Sequence, residues 1–282
     1  MLERKSMMYK LIACDLDETL ISDDSTICER NRESIKKALS LGVKFVPATG
    51  RGYVAIANIL KELNLYNKAD EYVISFNGGC ISENKDNQIL KFTGIPFKKA
   101  EELFNIGKNF DVCIHVYTKK KVYLYHASDD EFDYMKVRHP VEKIDDQTDL
   151  SFLKGEKIAK MIYGNQNMNY LHEVADKIKN ETADLDVSYS SNRFLELNHA
   201  GINKGIGLIW LADKLGIKPE ETMALGDNWN DLSMIQAAGL GIGMQNAVPD
   251  MKKDCDFITA ANNNQGGVGE AIERFILKPA KD

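Results

Sequence analysis

The sequence predicts an α/β fold in which a doubly wound parallel sheet forms one domain and a smaller α+β cap domain is inserted into it. Near both ends of the chain, short apolar runs alternate with amphipathic helical segments, as in a parallel sheet covered by helices on both faces. Several of these runs end in polar residues, at the sheet edge where α/β proteins bind ligands. Between the two regions the alternation is interrupted, which indicates the insertion.

The first part of the core domain is predicted over residues 1–84. The elements in chain order are a strand ending at Asp15, a helix over 29–41 that stops at Gly42, a strand over 43–48, a helix over 53–63 and a strand over 72–76. Periodic apolar positions predict the helices, and continuous apolar runs predict the strands. Because parallel strands end at the same edge of a sheet, we expect Asp15, Thr49 and Asn77 to lie near one another.

The cap domain is predicted over residues 85–191, and the core domain resumes over 192–282. Within the cap we expect helices over 96–109 and 167–180, strands over 112–117 and 157–164, and a hairpin-like stretch over 121–126. In the second part of the core we expect a helix over 204–215, a strand over 222–225, a helix after Asp227, a strand over 239–244 and a helix over 268–277.

Composition narrows the classes of function. The chain has 282 residues, 44% of them hydrophobic, which predicts a folded protein, and its formal charge of −6 argues against a nucleic-acid partner. No apolar stretch approaches the ~20 residues that cross a bilayer, and the N-terminus lacks the apolar region of a signal peptide. The five cysteines include no Cys-x-x-Cys pair, so reduced thiols are expected. We therefore expect a cytoplasmic protein with a small substrate; its oligomeric state stays open.

Acidic residues after two apolar runs suggest a metal site. On an extended strand, the spacing of Asp15 and Asp17 points both side chains to the same side. Crowded like charges raise a pKa or recruit a cation. Asp227 follows a second apolar run, over 222–225. Together these carboxylates would form a site of oxygen ligands suited to Mg²⁺.

The same residues suit phosphate ester hydrolysis. Asp15 is the candidate nucleophile, which would form an aspartyl-phosphate. Asp17 is the candidate acid that protonates the leaving group and then the base that activates water. Thr49 offers a hydroxyl, Gly50 a backbone N–H expected at a helix N-terminus, and Lys204 a cation at the start of its helix.

Five segments, in this order, resemble the motifs of the haloacid dehalogenase superfamily, specifically its Cof-type phosphatases. These segments are Asp15-Leu-Asp17-Glu-Thr-Leu, Ala48-Thr49-Gly50-Arg51, Asn77-Gly78-Gly79, Asn203-Lys204-Gly205 and Gly226-Asp227-Asn228-Trp229-Asn230-Asp231. The resemblance spans nearly the whole chain and includes the placement of the cap. One departure is Glu18, where many members have glycine.

The resemblance implies a Rossmann-like core, Mg²⁺ dependence and hydrolysis of small phosphorylated metabolites. It implies that Asp15 is both nucleophile and metal ligand. It also implies that Asp17 is the acid/base and a metal ligand through its backbone carbonyl, and that Asp227 is a metal ligand. The residues it implies for phosphate binding are Thr49, Gly50, Lys204 and Asn230. Asp231 and Asn77 are candidate supporting residues, although a charge at a helix N-terminus would also explain Asp231.

Two other functions use related residues. A phosphotransferase or phosphomutase would pass the same aspartyl-phosphate to a sugar hydroxyl instead of water. A phosphorylatable receiver domain, which is not an enzyme, also combines acidic residues, a Thr, a Lys and Mg²⁺, but it is about half as long and has no inserted cap. The cap resembles the family in placement and length alone, so the sequence does not identify the phosphate ester.

Overall fold

The structure is a computed structural model, and it describes residues 9–147 and 149–277. Within them the strands are β1 (Leu11–Cys14), β2 (Lys44–Pro47), β3 (Tyr72–Ser75), β4 (Cys80–Glu83), β5 (Gln88–Phe92), β6 (Cys113–Thr118), β7 (Val122–Tyr125), β8 (Val141–Lys143), β9 (Ile158–Gly164), β10 (Leu185–Ser190), β11 (Phe194–His199), β12 (Thr222–Gly226), β13 (Leu240–Gly243) and β14 (Phe257–Ile258). The α-helices are α1 (Glu29–Ser40), α2 (Ala57–Glu62), α3 (Phe97–Gly107), α4 (Asp129–Lys136), α5 (Met168–Lys177), α6 (Lys204–Lys214), α7 (Leu232–Ala237) and α8 (Gly267–Ile272).

The chain divides into two compact units. The core unit takes residues from 1–53, 57–90 and 203–282, and the second unit takes 54–56 and 91–202. The long segment of the second unit starts at 91 rather than at the expected 85 and ends at 202 rather than 191. Pairing explains both differences, because most of β5 stays with β3 and β4 in the core unit, while β11 pairs with β9 in the second unit.

The core unit contains the predicted doubly wound parallel sheet, in the order β14-β13-β12-β1-β2. Side chains alternate between its faces. On one face Leu11, Ala13 and Ala224 pack with Leu208 of α6 and Met234 of α7 in a buried apolar cluster. Helices α1 and α8 contact each other elsewhere in this unit. The parallel arrangement places the ends of β1, β2 and β12 at one edge of the sheet, where we expected the site.

Two core elements differ from expectation. The run over 72–76 was expected to join the parallel sheet, but β3 pairs antiparallel with β4 and meets the end of β2 through one parallel bridge, between Ala48 and Ile74. The region after Asp227 begins with a 3₁₀ turn over 229–231 before α7. Local pairing and capping, which apolar patterns do not encode, explain both differences.

The second unit is a six-stranded sheet with helices, in the order β10-β11-β9-β6-β7-β8. Its pairs are antiparallel except for β7 and β8. Apolar side chains from α3 and α5 pack on one face of the sheet in a buried cluster. Helix α4 was not predicted, although it carries start signals: Ser128 accepts the backbone N–H of Glu131, and three acidic residues occupy the first turn. Within the described ranges, no helix of either unit is both long and apolar enough to cross a bilayer.

Candidate active site

Neighbouring strands bring the carboxylate of Asp15 close to those of Asp227 and Asp231, which lie more than 200 residues further along the sequence. Cys14 at the end of β1 pairs with Leu225 of β12, and the N–H of Asp15 donates to the Leu225 carbonyl at 3.0 Å. Asp15 and Asp227 therefore leave adjacent strands at the same edge. Asp231 joins them from the 3₁₀ turn, and one oxygen of each carboxylate lies within 4.8 Å of the other two. All three residues are buried.

Lys204 is the cation of this cluster. Its Nζ donates to Asp15 Oδ1 at 2.5 Å and to Asp231 Oδ1 at 2.6 Å, and the residue has no exposed surface. It begins α6, where the side chain of Asn203 accepts the N–H of Ile206 as an N-cap. When all three carboxylates are ionised, Lys204 offsets one charge and two negative charges remain. A divalent cation would neutralise the remainder.

The pKa shifts of the cluster reflect the same excess of negative charge. Burial, followed by the charge of Asp231, raises the pKa of Asp15 well above its usual range, although Lys204 opposes the shift. Burial and Asp231 also raise the pKa of Asp227, to about 7. For Lys204, burial would lower the pKa, but the charges of Asp15 and Asp231 outweigh it and raise the pKa. The cluster therefore holds protons strongly unless a cation takes their place.

Asp231 is fixed more firmly than the sequence suggested. Its Oδ2 accepts the backbone N–H groups of Asp227 at 3.0 Å and Asn228 at 3.1 Å, while its Oδ1 accepts from Lys204. Gly226 makes room for it, because a Cβ at Gly226 would lie 2.3 Å from the Cβ of Asp231. Asp231 thus belongs to the carboxylate cluster itself.

Asp17 lies differently from the prediction based on an extended strand. Strand β1 ends at Cys14, so alternation along a strand does not set the direction of the Asp17 side chain. The carboxylate is half exposed and pairs with Arg51, whose Nε donates to Oδ2 at 3.0 Å and whose Nη2 donates to Oδ1. The side-chain cluster therefore contains Asp231 in place of Asp17. A metal contact through the backbone carbonyl of Asp17 remains a proposal.

Three of the expected phosphate-binding residues, Thr49, Gly50 and Asn230, lie in two loops, and the candidate supporting residue Asn77 lies in a third. Thr49 is buried, and its Oγ1 accepts the N–H of Arg51 at 3.0 Å. A Cβ on Gly50 would lie 3.2 Å from Asn77 Oδ1, and Asn230 Nδ2 donates to the same oxygen at 3.5 Å. Gly50, Asn77 and Asn230 are therefore neighbours.

One expectation for Gly50 is wrong. The residue was expected at a helix N-terminus, but the turn over 53–56 begins after Gly52, which is its N-cap. The N–H of Gly50 therefore lies in a loop before that turn. A helix dipole does not support it as an anion donor.

Sequence reasoning missed two residues that contact the predicted ones. Thr19 is fully buried and donates its hydroxyl to Asp227 Oδ1 at 2.6 Å. Arg51 binds Asp17 in the manner described above. Both residues lie within the quoted motifs, and that position was a signal of a role in the site. The sequence spacing does not reveal that the partner of Thr19 lies 208 residues away.

The carboxylate cluster fits Mg²⁺ by donor type and charge. Mg²⁺ takes oxygen ligands at about 2.1 Å in an octahedron, so ligand oxygens around one ion lie about 3 to 4 Å apart. The oxygens of Asp15, Asp227 and Asp231 are within 4.8 Å of one another, which small side-chain movements would bring into that range. The donor set of the cluster is therefore suited to a hard divalent cation.

The chain is similar to known proteins along nearly its whole length. The family model of haloacid dehalogenase-like hydrolases matches residues 12–272. The 5-amino-6-(5-phospho-D-ribitylamino)uracil phosphatase YcsE of Bacillus subtilis (strain 168) is 27% identical over 275 residues, which cover 98% of this chain and 99% of YcsE. YxeH from the same strain is 30% identical over 276 residues, covering 96% of this chain and 99% of YxeH.

A solved structure extends the likeness to three dimensions. The crystal structure of a haloacid dehalogenase-like hydrolase from Bacteroides thetaiotaomicron is 30% identical, has a TM-score of 0.84, and covers 95% of this chain and 100% of that one. The family match spans both segments of the core sheet and the inserted unit. The chain therefore belongs to the haloacid dehalogenase-like hydrolases and is one of that family's phosphatases.

Proposed function

We propose that the chain is a Mg²⁺-dependent phosphatase that hydrolyses small phosphorylated metabolites through an aspartyl-phosphate on Asp15. The observation that carries the proposal is the buried cluster in which Lys204 neutralises one of three carboxylates. A nucleophilic carboxylate beside an unbalanced negative charge suits a metal-assisted attack on a phosphate ester. The relative YcsE is named for a small phosphorylated substrate, which supports the substrate class.

The side chains of Asp15, Asp227 and Asp231, with the backbone carbonyl of Asp17, would hold the metal. Bound Mg²⁺ would offset the charge of the phosphoryl oxygens and make the phosphorus more electrophilic. Lys204 already holds Asp15 Oδ1, so we assign Oδ2 to the attack. The buried ammonium group of Lys204 orients the carboxylate of Asp15. We also propose that Lys204 contacts the phosphate.

Two steps complete the reaction. Oδ2 of Asp15 forms a bond to phosphorus while the ester P–O bond breaks, and Asp17, protonated once it is released from Arg51, gives its proton to the leaving oxygen. Water then attacks the phosphorus of the aspartyl-phosphate, Asp17 accepts a proton from that water, and the Oδ2–P bond breaks to release phosphate. Thr49, Gly50 and Asn230 are the proposed donors to the phosphoryl oxygens.

The test compares Asp15→Asn with Asp213→Asn, an exposed control on α6. Free phosphate is measured with p-nitrophenyl phosphate and with a panel of sugar phosphates, nucleotides, flavin and pyridoxal phosphates. We expect Asp15→Asn to lose about 1,000-fold or more of the rate while its circular dichroism is unchanged. Full activity in Asp15→Asn would refute the assignment of Asp15 as the nucleophile. Isomerised sugar phosphate without free phosphate would favour the phosphomutase alternative, and a stable phosphoprotein with no turnover would favour a receiver.

A further inference from the structure

The segment that follows β1 has an unusual backbone immediately after Asp17. The carbonyl of Leu16 accepts the N–H groups of Leu20 at 3.0 Å and Ile21 at 2.8 Å, which closes a tight turn. Within this turn Glu18 has a φ of +61°. Side chains with a Cβ rarely adopt this left-handed backbone, for which glycine is favoured. Hydrogen bonds from outside the turn would help to stabilise Glu18 in this conformation.

Asn246 contacts the backbone of Glu18. Its Nδ2 donates to the Glu18 carbonyl at 2.7 Å, and its Oδ1 accepts the backbone N–H of Asn263 at 3.1 Å. Both ends of the amide are engaged, so its plane is fixed between the two chain segments. The hydrogen bond to Glu18 fixes the peptide that follows the strained residue.

Asn263 holds the same segment further along. It is buried, and its Nδ2 donates to the Ile21 carbonyl at 3.1 Å and to Asp23 Oδ1 at 2.9 Å. We call Asn246 and Asn263 the asparagine clasp. The clasp binds the segment after β1 at Glu18, Ile21 and Asp23. These contacts lie before and after the end of the turn.

The loop that carries Asn246 is also tied to the metal side of the site. The N–H of Val248 donates to the carbonyl of Asp227 at 2.9 Å, and the N–H of Met244 donates to the carbonyl of Gly226 at 3.0 Å. One short loop therefore contacts both the backbone of Asp227 and the residue next to Asp17. It can set the spacing between the metal ligand and the acid/base.

We propose that Asn246, supported by Asn263, is a positioning residue that holds Asp17 in place through the strained Glu18 backbone. This inference rests on the role of Asp17 as acid/base in the proposed function. It concerns a residue outside the five motifs, in a loop that gave no sequence signal of its own.

The first test uses two variants of one side chain. Asn246→Ala removes both hydrogen bonds, and Asn246→Asp removes the donor to Glu18 while keeping an acceptor for Asn263. The parameter is kcat/KM, which covers the steps up to aspartyl-phosphate formation, where Asp17 acts as the acid. The two probes are p-nitrophenyl phosphate, whose leaving group needs little protonation, and glycerol 3-phosphate, whose alkoxide needs a proton.

For both variants we expect kcat/KM to fall about 30-fold with glycerol 3-phosphate and about threefold with p-nitrophenyl phosphate. A merely structural role would lower both values equally. The matched control is Asn264→Ala, because Asn264 binds Asp23 and has no hydrogen bond to Glu18; it should change neither value more than about twofold. Equal losses with the two probes, or wild-type values in both variants, would overturn the proposal.

A rescue variant tests the strain directly. Glycine accepts a positive φ without steric cost, so Glu18→Gly should restore most of the glycerol 3-phosphate activity when combined with Asn246→Ala. The single variant Glu18→Gly should stay within about twofold of the wild type. A double variant as impaired as Asn246→Ala would contradict the link between the clasp and the Glu18 backbone.

Amide hydrogen exchange separates failure of the clasp from failure of the proposed function. We expect residues 16–22 to exchange about tenfold faster in Asn246→Ala than in Asn264→Ala, with the rest of the core unchanged. Unchanged exchange would overturn the clasp whatever the activity. Faster exchange in a protein that hydrolyses none of the esters would support the clasp and refute the proposed function.

Discussion

Lys204 donates a 2.5 Å hydrogen bond to Asp15 from a side chain that has no exposed surface. A lysine is rarely buried completely unless it is paired, and this one is paired twice, because Asp231 accepts from it as well. The lysine therefore belongs to the carboxylate cluster as a permanent charge. Its removal should have consequences for both stability and catalysis.

The first prediction concerns the variant Lys204→Met. Removal of the ammonium group leaves Asp15 and Asp231 buried without their cation, which costs about 3 to 5 kcal/mol when one partner of a buried ion pair is lost. We expect that loss in the free energy of unfolding, measured by urea denaturation in chelator at neutral pH. Hydrolysis should also fall by at least about 100-fold.

The control for this variant is Lys214→Met, at the other end of α6 and exposed. It should change stability by less than about 0.5 kcal/mol and leave the rate unchanged. A Lys204→Met protein as stable as this control would show that the cluster does not carry the charges assigned to it.

The second prediction concerns the hydrogen bond between Thr19 and Asp227. In the wild type, the 2.6 Å hydrogen bond from Thr19 lowers the pKa of Asp227. Thr19→Val keeps the shape of the side chain but removes this donor. Without it the pKa should rise further, and the Mg²⁺ concentration for half-maximal activity should increase about tenfold. Thr182→Val, which removes another buried threonine hydroxyl in the second unit, should leave the Mg²⁺ requirement unchanged. An unaltered requirement in Thr19→Val would contradict the role given to this bond.

The third prediction concerns pH and the stability of the metal-free protein. The folded-state pKa of Asp227 is about 7, above the ordinary value of 3.8, so between these values the native state binds more protons than the unfolded state. The free energy of unfolding should therefore fall as pH rises from about 4 to 7, by at most roughly 1.4 kcal/mol per unit from this group. Asp15 acts in the same direction.

The measurement is urea denaturation in chelator at several pH values, with Asp227→Asn as the comparison. In the variant, the free energy of unfolding should fall less steeply with rising pH than in the wild type. Added Mg²⁺ should reduce this pH dependence of the wild-type stability, because the ion binds the ionised carboxylates. A stability that rises with pH over this interval would contradict the assigned direction.

The fourth prediction concerns metal removal and Asp231. Chelator should silence hydrolysis and added Mg²⁺ should restore it, since three carboxylates form the proposed site. Asp231→Asn should weaken Mg²⁺ binding about 10- to 100-fold, measured by calorimetry. The exposed control Asp250→Asn should bind as the wild type does. Full turnover in chelator would rule out the metal site.

Periodicity and strand ends predicted much of this molecule. The parallel sheet and the approach of Asp15 to Asp227 follow from apolar runs that end in polar residues, because parallel strands finish at one edge. The direction of the Asp17 side chain could not follow in this way. It depends on where β1 ends and on an ion pair with Arg51, and both are properties of the folded loops.

Contacts between distant loops were the least predictable feature. Asn246 and Asn263 lie in polar turns for which sequence patterns predict no partner, and their hydrogen bonds to Glu18 and Ile21 join positions 228 and 242 residues apart. Helix α4 was missed for a different reason. It is short, and only Glu131 and Met135 of its residues are buried, so its sequence shows little apolar periodicity.

The division of the core unit across the sequence has a consequence for synthesis. Asp15 leaves the ribosome 189 residues before Lys204, the cation that neutralises it, and β1 precedes its neighbour β12 by a similar interval. The second unit is almost continuous in sequence, so it can fold while the core sheet still lacks its later strands. The nascent chain therefore lacks Lys204 until its last third is being translated, and termination before that residue leaves Asp15 without the cation that pairs with it.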